Sequence, residues 1–235
     1  MTTYSRLERQ LTEALHLQRR PVAIAFRDDL PAGVSLFSGT QPSGCSFWQL
    51  AAEGRVFGTV PSDHYNCPIG SYTHNISLPP EREQELSQTL GLMGEIGYIR
   101  MAEVPGIPRL EKTPAITVYA PLGDAPVDPD AVLVAGPPAA LMLLQEAALR
   151  AGAPLQPLLG RPTCMAIPVA LTGPLVSSLG CVGNRIYTGI GDTDMYSVIP
   201  GARLQDVADA LSTITAANEA LTGHHRGRLA ALRVE

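Results

Sequence analysis

The sequence is short of lysine, of charge and of closely spaced cysteines, and each shortage closes off a class of function. Lys112 is the lone lysine, and the formal net charge is −5. The arginines form no cluster interleaved with aromatics, so the phosphate-neutralising stripe that nucleic acid requires is missing. Charged residues make up 17% and hydrophobic ones 45%, the balance of a folded chain with a large core. The N-terminal stretch MTTYSRLERQLTEAL has neither an apolar core nor a small-residue cleavage site, and does not read as a signal peptide. Uninterrupted apolar runs are also scarce. Val132 to Leu144 is uncharged but too short to span a bilayer. Pro162 to Asn184 is long enough, but Pro162, Pro168, Gly173, Pro174, Gly180 and Gly183 interrupt it, and a lipid-facing helix would be left with unpaired backbone groups. It reads as buried interior, and the chain as a cytoplasmic protein with no membrane partner.

Glycine (22) and proline (21) are abundant, with no repeat period, which predicts many tight turns. Between them the periodicity is clear. Leu7, Leu11, Ala14 and Leu15 predict a helix over 4–19 that ends near Arg20-Pro21. VAIAF (22–26), RVFGTV (55–60), AITVYAPL (115–122), VLVAG (132–136) and MYSVIP (195–200) read as strands. Helices are expected at SFWQLAAEG, stopped by Gly54, at EREQELSQTLGLM, at 137–151 and at 202–222. The last carries Leu204, Val207, Ala208, Leu211, Ile214 and Leu221 on one face. Strands alternating with helices give an α/β fold, a mixed layered sheet with helices packed on it. Residues 1–235 read as one compact domain with a cysteine-bearing core at about 21–211. A weak internal duplication is visible: each half carries a Gly-Cys, an Arg-x-aromatic strand (Arg55-Val56-Phe57, Arg185-Ile186-Tyr187) and a Pro-initiated helix.

The four cysteines, Cys45, Cys67, Cys164 and Cys181, are separated by 22, 97 and 17 residues. No pair has the C-x-x-C spacing of a zinc or ferredoxin site, so a shared site has to be assembled from distant loops. Cys45 opens the SFWQLAAE helix. Cys67 precedes Pro68, a residue favoured at the first helical position, and so reads as an N-cap, where the helix dipole stabilises a thiolate. Cys181 lies between Gly180 and Gly183, whose backbone amides can turn toward sulfur. Cys164 begins the apolar run MAIPVAL. The competing reading of any one of them is packing, since free cysteine is among the most buried residue types.

The order PVAIAF, GCSFWQLAAEGRVFGTV, NCPIG, RPTCMAIPVAL and SLGCVGNRIYTGIGDTDMYSVIPGARL, from about Pro21 to Leu211, resembles domain-of-unknown-function family 169. The resemblance implies an iron–sulfur centre and supplies no substrate or reaction. All four cysteines fall in the matching stretches, and the ligand set stays open. The leading expectation is a 4Fe–4S cluster held by Cys45, Cys67 and Cys181, with Cys164 as fourth ligand or near neighbour. Trp48, Gly180 and Gly183 would line the cofactor, and Asp63, His64 and Arg185 would serve proton transfer and substrate orientation. Three thiolates leave an iron open to a small-molecule substrate and imply an enzyme; four close the cluster and favour electron transfer, with an electron-donor protein as partner, or structural use. A homo-oligomer is compatible with either. The alternative is a non-catalytic carrier or sensor for haem, zinc or a small ligand. A third reading makes Cys67 a nucleophile with His64 or His74 as base, but no orienting third group is identifiable. YTGIGDTD lacks the lysine and following helix of a phosphate loop.

Overall fold

The computed structural model describes residues 2–158 and 161–232. In chain order the elements are α1 (Thr3–Leu15), β1 (Val22–Arg27), α2 (Gly44–Ala52), β2 (Phe57–Thr59), α3 (Pro68–Thr73), α4 (Pro80–Glu95), β3 (Ile116–Pro121) and β4 (Ala131–Gly136). They continue with α5 (Pro138–Arg150), β5 (Leu155–Leu158), α6 (Ala166–Ala170), β6 (Leu175–Ser178), α7 (Val182–Thr188), β7 (Met195–Pro200) and α8 (Leu204–Leu232). The strands form one sheet in the order β2-β3-β1-β4-β7-β6-β5. Every pairing is antiparallel except β5 with β6.

The central strands are continuous apolar runs because both faces of the sheet are covered. On one face Ala23, Val132, Val134 and Ile199 pack with Leu7, Leu11, Leu141, Leu144 and Leu211 of α1, α5 and α8. On the other, Ile24, Leu133, Val176 and Val198 pack with Phe47 and Trp48 of α2 and Ile167 of α6. Each fully buried aliphatic side chain contributes roughly 1.5–3 kcal/mol against exposure, so these two layers supply most of the folding free energy.

The sheet is built twice. Val22 of β1 pairs with Pro121 of β3 as Ala131 of β4 pairs with Pro200 of β7. Phe57 of β2 opposes Tyr119 of β3 as Val176 of β6 opposes Val198 of β7. The halves join through the antiparallel β1–β4 pair, which gives the sheet a pseudo-two-fold axis. The sequence offset from Phe57 to Val176 recurs from Cys45 to Cys164 and from Gly54 to Gly173. Both glycines adopt positive φ, +110° and +116°, the conformation that turns each chain from helix to strand and that disfavours a Cβ.

The expected α/β layering is present, with corrections at the boundaries. The first helix stops at Leu15, not 19, because His16 takes a left-handed conformation (φ 51°) and its amide closes the last turn. The last helix starts at Leu204 and runs past 222 to Leu232; Gly223 and Gly227 do not end it. Only its first turns are buried, and Leu221 is exposed. RVFGTV shortens to the three residues of β2. Arg185-Ile186-Tyr187 is no strand but part of α7, so that leg of the expected duplication fails while the strand register supports the repeat. Strands β5 and β6 had no counterpart among the expected strands; β6 lies within 162–184 and is buried, in keeping with the reading of that segment as interior.

Candidate functional site

The repeat brings the cysteines together in pairs. Cys67 follows β2 and is the N-cap of α3; Cys181 follows β6 and is the N-cap of α7. Cys45 stands in the first turn of α2, and Cys164 in the 3₁₀ turn that leads into α6. All four line one cleft of about 280 Å³ beside the sheet. Cys45 and Cys164 are buried, while Cys67 and Cys181 are half-buried. None forms a disulfide.

Local backbone turns amides toward the two N-capping sulfurs. The Asn184 amide donates to Cys181 Sγ at 3.5 Å. The amides of Gly44 and Gly70 favour the thiolate of Cys67, although burial outweighs them and raises its pKa. Burial also pushes Cys45 well above the usual thiol range, and the charges of Cys164, Cys67 and Cys181 add to it. Cys164 is raised by the same causes, burial first and then Cys67, with Thr73 opposing. Cys45, Cys67 and Cys164 are thus each raised by burial first and by a neighbouring thiol after it, so a cation among them would favour their charged forms. Among the described residues, no three His, Cys, Asp or Glu side chains are grouped so as to hold a metal ion as they stand. A polynuclear guest asks less of the geometry, because each thiolate binds a different metal atom. The donor set fits such a guest: soft sulfurs, inward-turned amides, and a glycine at position 70 whose Cβ would lie 2.8 Å from Cys67 Sγ.

The opposite wall is apolar. Leu90 and Met93 of α4, with Tyr98, Ile99 and Ile107 after it, face the cysteines across the cleft. No residue of α4 is buried, so the helix stands as a wall and not as part of the core. Arg161 lines the cleft, donates to the Tyr98 carbonyl and stacks its guanidinium on the Tyr98 ring at 5.3 Å. Glu85, the other charged lining residue, is paired with Arg82 at 2.5 Å.

The expected polar residues lie elsewhere. Asp63 Oδ2 accepts the Val60 amide at 2.9 Å and caps the 3₁₀ turn after β2. His64 is buried behind the Cys67 loop, its Nε2 2.9 Å from Thr59 Oγ1 and its ring stacked 6.1 Å from that of His74. Burial, and then His74, lower its pKa to about 3. His74 is lowered in turn by burial. Arg185 donates to the carbonyls of Leu179, Gly191 and Asp194, tying together the loops on either side of α7 in place of the expected role in substrate orientation. None of the three lines the cleft, because each is consumed in building the loops that hold the cysteines. Trp48 lies edge-on to Tyr196 in the core, while Gly183 lines the cleft and Gly180 does not. Sequence reasoning missed Asn184, Arg161 and the α4 wall. Asn184 sat unremarked inside CVGNRIY, and nothing in local pattern distinguishes a cleft-facing asparagine from a helix-surface one.

The sequence profile of domain-of-unknown-function family 169, described as "Uncharacterised ArCR", matches residues 10–210, and the chain belongs to that family. It is also similar to the uncharacterized protein MJ0308 of Methanocaldococcus jannaschii, 26% identical over 215 residues that cover 86% of this chain and 91% of the relative. No solved structure matches. Among the described residues no helix is long and apolar enough to cross a membrane.

Proposed function

We propose that this member of family 169 binds an iron–sulfur cluster through Cys45, Cys67, Cys164 and Cys181 and uses it on a small molecule that enters the cleft. The observation that carries this reading is the convergence of four thiols from four separate loops on one cleft, two of them as helix N-caps. Packing explains a buried cysteine one at a time; it gives no reason for four to line one cleft, where burial and then neighbouring thiols raise the pKa of Cys45 and Cys164. When bound, a cluster closed by four thiolates supplies a one-electron centre beside the molecule in the cleft. The chain's own residues then hold the sulfurs through the capping amides, keep water off with the α4 wall, and leave room for a ligand.

Protein prepared without oxygen is expected to be brown and to contain iron and acid-labile sulfide. Single Cys→Ser changes at all four positions are expected to remove most of the iron. The repeat makes Cys164 the counterpart of Cys45, so of the two places expected for it, fourth ligand or near neighbour, the proposal takes the first. Colourless protein without iron would end this reading. A carrier of a small apolar ligand, without metal, is the second reading, favoured by the lack of a ready three-residue metal group among the described residues and by the apolar wall. Iron analysis separates the two.

A further inference from the structure

Among the described residues two charged side chains line the cleft, Glu85 and Arg161, and their situations differ. Glu85 is neutralised by Arg82, whose guanidinium also donates to Asn66 Oδ1 at 2.8 Å. Arg161 has no ion-pair partner among the described residues. It lines the cleft and is nevertheless exposed, which places it at the mouth. There it gives an N–H to the Tyr98 carbonyl and lays its guanidinium over the Tyr98 ring. The carboxylate that feels its charge, Glu103, is already held by Arg100, through Nε at 2.7 Å and the backbone amide at 3.4 Å. With Glu85 matched to Arg82 and Glu103 to Arg100, one positive charge is left over at the mouth.

Behind that charge the lining is apolar, with Leu90, Met93, Ile99 and Ile107 on the α4 side and Val182 and Tyr187 of α7 opposite. Arginine carries five N–H donors in a planar fork that matches a carboxylate, and Arg161 spends one of them on Tyr98. A single cation answers a single negative charge, which suits a monocarboxylate and not a doubly charged phosphate ester. The arrangement also fixes which end enters first. A carboxylate turned inward would face four sulfurs that carry negative charge when ionised, whereas one held at the mouth meets Arg161 and leaves its apolar body to the apolar walls. About 280 Å³ is at the small end for ligand pockets, room for a one-ring or short-chain acid and not for a nucleotide.

We propose that the cleft binds a small monocarboxylic acid with an apolar body, its carboxylate held at the mouth by Arg161 and its body turned toward the cysteines. That this acid is the molecule on which the cluster acts rests on the function proposed above; its binding does not, so the two can fail separately. The test uses full-length protein prepared without oxygen, at pH 7 and low salt, where the acids are ionised and screening is weak. The probes are three pairs of nearly equal shape: benzoate and benzamide, phenylacetate and phenylacetamide, hexanoate and hexanamide. Binding is followed by calorimetry and ligand-observed NMR, with iron and sulfide measured on the same samples. At least one acid is expected to bind at least about tenfold more tightly than its amide. Arg161→Gln is expected to abolish that preference and Arg161→Lys to keep part of it, because lysine retains the charge and loses the fork. The comparison of acid with amide on the unchanged protein depends on no variant folding. No acid bound, acid and amide bound equally, or an acid preference that survives in Arg161→Gln overturns the proposal. Arg161-dependent acid binding by iron-free protein supports it and ends the cluster reading; iron-loaded protein that binds no acid does the reverse.

Discussion

Gly70→Ala separates the site from the fold. A Cβ at position 70 would lie 2.8 Å from Cys67 Sγ and 3.4 Å from its Cβ. Ordinary carbon contacts begin near 3.4 Å, so the sulfur must retreat by about 0.6 Å, the difference between these two distances. Metal–ligand distances hold to about ±0.2 Å, so a displacement three times that size should cost Cys67 its place in any cluster. The fold is affected the other way. The sulfur is the end of a rotatable side chain, the backbone need not move, and Gly→Ala within a helix stabilises by about 1 kcal/mol. For a domain of this size that raises Tm by about 2–4 °C in metal-free protein. Gly183→Ala is the matched control. It also lies in a cleft-lining helix, but its Cβ would meet the Tyr187 ring at an ordinary 3.5 Å. Iron and sulfide per chain, and thermal melts of the metal-free forms, are the measurements. Gly70→Ala should lose most of its iron with Tm held or raised, and Gly183→Ala should keep it. Full iron in Gly70→Ala would refute the role given to Cys67; a large fall in Tm would refute the claim that the sulfur alone must move.

Acid should destabilise the fold through its buried histidine. His64 has a folded-state pKa of about 3 against an ordinary 6.5, so its contribution is present above pH 6.5 and is lost as pH falls toward 3. In urea melts from pH 7 to 4 the unfolding free energy should fall by up to about 1.4 kcal/mol per pH unit, and His64→Gln should flatten that slope. An unchanged slope would count against a neutral buried imidazole. In metal-free protein, iodoacetamide should label the half-buried Cys67 and Cys181 before the buried Cys45 and Cys164, as read by peptide mass mapping. The reverse order would place the cleft mouth wrongly. Replacing residues 80–99 by a short Gly/Ser linker should leave the Tm of metal-free protein within a few degrees, because no residue of α4 is buried, while iodoacetamide labelling of the cysteines speeds up. Unchanged labelling would mean that α4 is not the wall.

The layers of the fold were legible because they rest on short-range pattern. VAIAF, AITVYAPL, VLVAG and MYSVIP are apolar on both faces and became the four central strands. The residues from 162 to 184 hid β6 and α7 because prolines and glycines masked any period, and β6 is only four residues long. The cysteines were legible as N-caps from the Pro68 and glycine contexts, and the structure places Cys67 and Cys181 there. The polar partners were not. Asp63, His64 and Arg185 were nominated for being close in sequence to a cysteine, yet closeness in sequence is what makes a side chain available to cap and brace the same loop. Val60 and Thr59 take the first two, and three backbone carbonyls take the third. Arg161 and Leu90 reach the cleft from segments far from Cys45, and only tertiary packing decides that.

A duplicated half-sheet accounts for where a four-sulfur site can arise and for what the symmetry alone cannot provide. Each half supplies one thiol at the start of a helix, Cys45 or Cys164, and one as the N-cap of the next helix, Cys67 or Cys181. Pairing β1 with β4 brings the four to one cleft without any close-spaced motif in the sequence. Two identical halves would enclose a guest evenly and give it no preferred side. Three departures from the repeat break that evenness: the long connection carrying α4 between α3 and β3, where α7 and β7 are joined by a short turn; Asn184 in place of glycine; and Arg161 on Tyr98. All three lie on the cleft, and of them Asn184 also serves the sulfurs, its amide donating to Cys181 Sγ and its side chain favouring the charged form of Cys45. A structural cluster would require only the symmetric part. The asymmetric part supplies an apolar wall and one cation beside the cysteines, which suits the orienting of a molecule that is not itself symmetric.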